Sequence, residues 1–345
     1  EFRVEMTTVK DEYFDGESID ATVRASYYFG APMSNANVVW RAQTTDYFFN
    51  RYTDSFYSFA MEDAWCWYAC EREETPFTEG TGKLDAAGHT TIRVPVSIKN
   101  KSLSQIASIE ADITDINKQI VSGRVDVPVH KSKVYVGVRT KEYVVEPTKS
   151  TTVELITLGT DGTPVKNQRV KLQLFSRVWN TVQKQGIDGD FYEENEPVDT
   201  FVSEQNIVTG ENGKGEAIVT IPKGGQYAIV ASTQDSDNRE SKASTRVYAW
   251  SSVAMNWPHS NNNRVEVTTD RPSYKPGENA VLLVKSPFQG KGVKALVTVE
   301  RENILSSQVI DLESAAQPIT IAITPDLIPN AYVSVVILKP RMGEA

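Results

Sequence analysis

Two cysteines and three histidines are the residues of this chain whose side chains most often perform chemistry. Cys66 and Cys70 are separated by three residues, whereas a thioredoxin-like redox site has two residues between its cysteines. A structural zinc site needs four ligands in paired clusters, and His89, His130 and His259 are scattered along the chain. The sequence therefore predicts no metal site. It leaves two alternatives for the cysteines, a local disulfide in an oxidising compartment or two buried thiols.

Runs of carboxylates are the next candidates for chemistry. Glu193–Glu196 and Glu71–Glu74 are predicted to lie on loops, where adjacent acids point to solvent and cannot act as an acid–base pair across a cleft. Asp235–Asn238 lacks the glycine and the closing glutamate of an EF-hand loop, so a polar turn is the favoured interpretation. Ser26 and Ser176 have no Gly-x-Ser-x-Gly context. We therefore predict no catalytic residue and no cofactor, and a chain that is not an enzyme.

Length and charge restrict the class of protein further. A chain of 345 residues is long enough for two or three domains of about 100–200 residues each. The formal net charge is −9 and no block of basic residues occurs, which argues against a nucleic-acid partner, because such partners require a basic surface. No apolar run approaches the ~20 residues that a membrane-spanning helix needs.

A repeat indicates how these domains are built. Tyr13, Tyr143 and Tyr274 are almost evenly spaced, and each precedes a turn and an apolar strand. Alternating β-branched and aromatic residues, as in Val170–Phe175, predict strands throughout. The one exception is Leu103–Ile106, which is predicted to form at most one helical turn. We predict an all-β chain of three tandem antiparallel β-sandwich domains of the immunoglobulin or fibronectin type, at residues 1–131, 132–252 and 253–345.

An aromatic insertion interrupts the first predicted domain at residues 46–72. One interpretation is a binding surface, since exposed aromatic side chains mark interfaces. The favoured interpretation is a long strand connection that packs against its own sandwich or against the second domain. A disulfide between Cys66 and Cys70 would fix the tip of this segment. The aromatic residues are Tyr47, Phe48, Phe49, Tyr52, Phe56, Tyr57, Phe59, Trp65, Trp67 and Tyr68.

Nine stretches, which together extend over nearly the whole chain, have an order and spacing that match a known family. They are Tyr27–Pro32, Asn35–Val38, Tyr135–Arg139, Asp161–Val165, Lys223–Tyr227, Val247–Trp250, Asp270–Pro287, Leu296–Arg301 and Pro329–Val336. These stretches resemble macroglobulin-like domains of the bacterial alpha-2-macroglobulin family, in which a stretch similar to Asp270–Pro287 contains Tyr-Lys-Pro-Gly and ends in Ser-Pro-Phe. The resemblance implies three macroglobulin-like domains, of which the third is truncated before or at a bait region.

The resemblance also implies a function. The chain would be scaffold of a periplasmic, broad-spectrum inhibitor that traps target proteases after they cleave its bait region, with neighbouring domains of the same chain as further partners. Membrane attachment would come only through a lipid anchor outside this chain. The family thioester joins a Cys to a Gln three residues later, but Ala69 and Glu73 stand at those positions, so no thioester is expected here. The alternatives are a cell-surface adhesion array of immunoglobulin-like domains without inhibitor activity, and a carbohydrate-binding module.

Overall fold

The computed structural model describes residues 1–53, 56–62, 75–185, 191–250, 257, 264–288 and 292–339. These residues form 22 β-strands and one short 3-10 helix, Pro325–Leu327, and no α-helix occurs among them. None of them belongs to a helix that is long and apolar enough to cross a membrane. The all-β prediction is therefore confirmed.

The first unit contains eight strands in two sheets. They are β1 (Phe2–Thr8), β2 (Tyr13–Phe14), β3 (Ser18–Tyr27), β4 (Asn37–Tyr47), β5 (Thr75–Lys83), β6 (His89–Pro95), β7 (Ser104–Thr114) and β8 (Ile120–His130). One sheet has the order β1-β3-β6 and the other β2-β8-β7-β4-β5. Alternate residues of β3, from Ile19 to Ala25, are buried between the sheets, as in a strand with one face on the core. The unit is a β-sandwich.

The second unit repeats this topology strand for strand. Its strands are β9 (Val134–Thr140), β10 (Val144–Val145), β11 (Ser150–Gly159), β12 (Arg169–Gln185), β13 (Phe191–Val208), β14 (Lys214–Thr220), β15 (Gly225–Gln234) and β16 (Glu240–Ala249). The sheet orders are β14-β11-β9 and β10-β16-β15-β12-β13. Both orders are the same as in the first unit, with β9 to β16 taking the places of β1 to β8. The predicted repeat is therefore visible in the hydrogen-bonded order of the strands.

The third unit has six strands among the described residues. They are β17 (Glu266–Thr269), β18 (Asn279–Lys285), β19 (Lys294–Arg301), β20 (Asn303–Asp311), β21 (Pro318–Ala322) and β22 (Tyr332–Leu338). The sheet orders are β17-β18-β21 and β20-β19-β22, which correspond to β1-β3-β6 and β5-β4-β7 of the first unit. The predicted domain limits at 131/132 and 252/253 stay predictions, while the strands group as three sandwiches.

One turn is common to the three units and corrects the predicted alignment of the repeat. Gly16, Thr148 and Gly277 occupy the same position, with φ angles of 86°, 68° and 92°. The amide of each donates to the carbonyl of the residue that directly follows β6, β14 or β21. The position three residues earlier is Tyr13, Val145 or Tyr274. Tyr143 is therefore not the counterpart of the other two tyrosines.

Two local predictions were wrong. Leu103–Ile106 is not a helical turn, because Ser104 begins β7, which pairs with β4 and β8 along its length. Glu193–Glu196 is not a loop but part of β13, where Glu196 lies opposite Asn180. In both cases pairing with neighbouring strands holds an extended backbone that local sequence does not reveal.

Candidate functional site: the joints between units and the third unit

The aromatic insertion packs against the second unit. Among its described residues, Tyr57 forms a buried cluster with Ile156 and Leu158 of β11. Phe49 stacks on Tyr135 of β9, with ring centroids 4.3 Å apart. Further rings that join this cluster are Tyr52 and Phe59. The described part of the insertion thus packs as the favoured interpretation predicts, because its rings lie on the second unit.

Backbone pairing reinforces this contact. The Ser58 amide donates to the Val138 carbonyl at 2.9 Å, and the Val138 amide donates to the Ser58 carbonyl at 2.9 Å. Ser58 therefore covers part of the free edge of β9, an edge that would otherwise present unpaired backbone groups. Gly137 makes the approach possible, because a Cβ there would lie 2.6 Å from a ring carbon of Phe59.

Polar contacts extend the strap, the name used here for described residues 56–62, onto β16. The Ser244 amide donates to the Ala60 carbonyl at 3.0 Å, and the Glu62 amide donates to the Ser244 hydroxyl at 2.8 Å. The Arg246 guanidinium pairs with the Glu62 carboxylate. Burial works to lower the pKa of Arg246, but the Glu62 carboxylate outweighs it, and the pKa is raised. The strap therefore contacts both sheets of the second unit.

A buried histidine lies where the first unit meets the second. The Nδ1 atom of His130 lies 2.7 Å from the Tyr135 hydroxyl, which lies 2.8 Å from the Ser104 hydroxyl. Its Nε2 atom lies 3.4 Å from a carboxylate oxygen of Glu12. Burial lowers the pKa of His130, although Glu12 acts in the opposite direction. Burial likewise raises the pKa of Tyr135. This chain of contacts fixes the linker between β8 and β9.

Each sandwich unit has two ends. The upper end is the one with the β3–β4 loop and the β7–β8 turn, or their counterparts, and the lower end is opposite to it. In each joint the upper end of one unit contacts the lower end of another. The upper end of the second unit meets the lower end of the first through Thr160, whose hydroxyl donates to Glu12 at 3.0 Å. Asp235 accepts the Lys133 amide at 2.9 Å, and the Arg239 guanidinium lies 5.1 Å from the centre of the Phe14 ring.

The joint between the second and third units is also buried, but it is more apolar. Val144 and Tyr248, at the lower end of the second unit, pack with Leu283 of the third unit. Trp257 joins them and donates its indole N–H to the Ala315 carbonyl at 2.8 Å.

One charged side chain lies inside this joint. The Lys285 ammonium lies 2.8 Å from the Tyr248 hydroxyl and 4.1 Å from the centre of that ring. It also pairs with Glu266 and lies 5.6 Å from the centre of the Trp257 ring. The Lys285 side chain is buried and that of Glu266 is exposed, so this cation is held by aromatic faces on one side and a solvated carboxylate on the other.

β22 is the last described strand of the third unit, and among the described residues it pairs with β19. It corresponds to β7 and β15 of the other two units by its position in the sheet. Tyr332, Val336 and Leu338 of β22 are exposed. Arg301 ends β19 and donates to the Asp326 carbonyl at 2.9 Å. Both Arg301 and Arg341 have the side chain that trypsin-like proteases recognise, and Arg341 lies outside the described residues.

The residues singled out for chemistry are not brought together. Cys66 and Cys70 lie outside the described residues, as do His259 and Glu71–Glu74, so the alternatives for the cysteines stay open. No group of three or more potential metal ligands occurs in the part of the chain that the structure describes. Ser26 and Ser176 lie within strands β3 and β12.

Asp235 has a structural role in the polar turn that it begins. One of its carboxylate oxygens accepts the amides of Asp237 and Arg239, and the other accepts the amide of Lys133. Burial works to raise the pKa of Asp235, but these amides outweigh it, and the pKa is lowered. The carboxylate therefore closes the β15–β16 turn and attaches it to the linker before β9. Sequence analysis missed this role, and it missed the contact of Lys285 with Tyr248, because Lys133 and Tyr248 are distant in sequence from the residues that they contact.

Comparisons with known proteins agree with this architecture. Residues 265–344 match the family model described as the alpha-2-macroglobulin bait region domain. A curated alpha-2-macroglobulin homolog from Nostoc sp. is 22% identical over 348 residues, a match that covers 98% of this chain and 17% of that protein. The chain thus spans a small part of the length of the curated relative that it matches.

Solved structures of bacterial alpha-2-macroglobulins share the fold. The native conformation of the Escherichia coli protein matches with a TM-score of 0.52 and 15% identity, over 98% of this chain and 23% of that one. The same protein activated by porcine elastase matches with a TM-score of 0.53 and 13% identity, over 98% and 32%. The Salmonella protein reacted with methylamine matches with a TM-score of 0.50 and 15% identity, over 97% and 23%.

Proposed function

Because the chain belongs to the alpha-2-macroglobulin family, we propose that it is scaffold of a broad-spectrum protease inhibitor. In this role it positions a bait region, and the parent protein traps a protease that cleaves the bait. The observation that carries the proposal is the match of residues 265–344 to the alpha-2-macroglobulin bait region domain. Those residues form the third unit, which is attached to the second unit through a buried joint. The bait segment would therefore be held by a fixed support.

The joints support a role in transmitting a structural change. A cut in one segment affects distant domains only if the units between them do not pivot freely, since coupling requires packed elements with defined arrangements. The strap joins the first unit to both sheets of the second. The Tyr248–Lys285 contact joins the second unit to the third. A chain of firmly joined sandwiches suits this task better than a flexible string of domains would.

The bait region is proposed to begin after Leu338. The match of residues 265–344 to the bait region domain supports this position, because it extends past the end of β22. Arg341 follows soon afterwards, and trypsin-like proteases cleave after arginine. Arg301, by contrast, is part of a paired strand.

The remaining expectations are part of the same proposal. The chain is scaffold and not an enzyme, and its partners are target proteases, through the bait region, and the neighbouring domains of the parent. It resides in the periplasm, anchored to the inner membrane only through a lipid outside this chain. A disulfide between Cys66 and Cys70 would be compatible with that compartment. Cell fractionation with an antibody against the parent protein tests the location.

The inhibitor proposal is tested with the whole protein that contains this chain. It is mixed with several unrelated proteases, and two activities are followed, hydrolysis of a small peptide and of a large protein. We expect one early cut C-terminal to about Leu338, loss of activity on the large substrate and survival of activity on the small one. Proteases with a blocked active site serve as the control and should produce neither the cut nor a trapped complex.

The opposite result would favour another class of protein. If no preferred cut occurs, or if both activities persist after the cut, the trap does not exist. An adhesion array of immunoglobulin-like domains would then become the better explanation of the fold.

A further inference from the structure

The upper ends of the first and second units correspond residue by residue. The β-bridge Ser26–Pro32 has its counterpart in Leu158–Pro164, so the first unit's loop 28–30 corresponds to 160–162. The Lys118 amide donates to the Asp115 carbonyl at 3.1 Å, and the Asn238 amide donates to the Asp235 carbonyl at 3.1 Å. Turn 115–119 therefore corresponds to turn 235–239.

In the second unit this upper end is an interface. Thr160 donates to Glu12 of the first unit, and Gly162 lies so close that a Cβ would be 2.3 Å from the Arg51 carbonyl oxygen. Asp237 pairs with Lys133 at 2.8 Å. The third unit also meets its predecessor through the end of β18, where Lys285 contacts Tyr248. Each joint therefore places the upper end of one unit on the lower end of the unit before it.

The upper end of the first unit carries four large apolar side chains that are exposed. The exposed fractions are 68% for Tyr28, 80% for Phe29, 92% for Ile116 and 61% for Ile120. Their counterparts in the second unit are Thr160, Asp161, Ser236 and Glu240, all of them polar. Large apolar side chains that project together into solvent mark sites of protein contact. The first unit thus has an apolar surface at the position that the second and third units use for docking.

We propose that Tyr28, Phe29, Ile116 and Ile120 form a docking surface for the lower end of another β-sandwich unit. The partner surface should be apolar, like the lower end of the second unit with Val144 and Tyr248, and not charged like the lower end of the first unit. The proposal rests on the proposed function in one respect, namely that this chain is part of a longer array of such units.

The test compares labelling by hydroxyl radicals in two samples, the 345-residue chain and the longer protein that contains it. In the chain alone, at low concentration, Tyr28 and Phe29 should be labelled strongly. In the longer protein their labelling should fall several-fold. Val178 and Val198, exposed on the β12–β13 hairpin, serve as reference positions and should be labelled equally in both samples.

A variant, Tyr28→Ser with Ile116→Ser, separates docking from folding. In the 345-residue chain its melting temperature should be unchanged, since both side chains are exposed. In the longer protein the substitution should restore strong labelling of Phe29.

Equal labelling of Tyr28 and Phe29 in chain and longer protein would overturn the proposal. The proposal would also be overturned if Tyr28 and Phe29 became protected from labelling in the 345-residue chain alone as its concentration rises. The docking surface would then bind a second copy of this chain. Neither readout measures inhibition, so this failure is distinguishable from failure of the inhibitor proposal.

Discussion

At the scale of single residues, the contact between Phe59 and Gly137 shows how the strap is held. Phe59 is half-buried in the cluster with Tyr57, and its ring occupies the space that any side chain at position 137 would need. Phe56, three residues earlier in the same strap, is exposed. The two phenylalanines therefore form a matched pair for measuring what the contact contributes to stability.

Phe59→Ala should lower the free energy of unfolding by about 2 kcal/mol. A fully buried Phe→Ala change costs roughly 3–5 kcal/mol, and Phe59 is only half-buried. Phe56→Ala should change it by no more than about 0.5 kcal/mol, as for other surface positions. Denaturant titration of the chain measures both. Equal losses in the two variants would mean that the strap is not fixed by Phe59.

His130 should make the joint between the first two units sensitive to pH. Its ring is surrounded by Glu12, Tyr135, Tyr47 and, at longer range, Arg51. Because burial lowers the pKa of His130 below its ordinary value, the folded chain binds this proton less readily than the unfolded chain does. Its contribution to stability is therefore fully present above about pH 6.5 and is lost as the pH falls below that value.

The comparison of wild type with His130→Asn isolates this effect. The stability advantage of wild type should be constant above about pH 6.5 and should shrink as the pH falls from there towards about pH 5. His89→Asn is the control, because His89 is only half-buried and contacts the Arg24 side chain. An advantage of wild type that stays constant over this range would contradict the prediction.

At the scale of secondary-structure elements, loops at the upper ends decide which units touch. Gly30 and Gly162 occupy the same position of two equivalent loops, and both have positive φ, 96° and 87°. They differ in their surroundings. A Cβ on Gly162 would lie 2.3 Å from the Arg51 carbonyl oxygen, while a Cβ on Gly30 would have nothing within 4 Å. The backbone conformation is the same, but only one loop is part of a joint in this chain.

Gly162→Ala should therefore be more destabilising than Gly30→Ala. Each substitution places a side chain at positive φ, which costs about 1–2 kcal/mol. Gly162→Ala should cost about 1–3 kcal/mol more, because the new methyl group forces the two units apart. Thermal unfolding of the two variants under identical conditions measures the difference. Losses of the same size would show that the loop does not pack tightly against Arg51.

At the scale of the whole molecule, three sandwiches are joined in series by two joints of different chemistry. The joint between the first and second units combines the aromatic cluster of the insertion with charged and polar side chains, including Glu12, Lys133 and Asp235. The joint between the second and third units is mostly apolar and contains the buried Lys285. In the proposed inhibitor, this second joint attaches the third unit, which precedes the bait region, to the second unit.

Substitutions of Lys285 test what holds that second joint. Lys285→Met should change the free energy of unfolding by no more than about 1 kcal/mol, because the apolar stem is retained and Glu266 is left in solvent. Lys285→Glu should cost about 3–5 kcal/mol, because it buries a carboxylate against aromatic rings and beside Glu266. Calorimetry should show the third unit unfolding earlier in Lys285→Glu. A large loss in Lys285→Met would instead indicate that the charge itself holds the joint.

The sequence by itself determined the all-β class, the threefold repeat and the family resemblance, because these depend on local patterns such as strand alternation and turn glycines. It misjudged Leu103–Ile106 and Glu193–Glu196, where pairing with distant strands decides the conformation. Only the tertiary structure showed that the strap covers part of the edge of β9, that Asp235 attaches a turn to the linker, and that Tyr28 and Phe29 are exposed at the end that the second unit uses as an interface. Each of these depends on residues far apart in sequence, and their contacts exist only after the units have packed together.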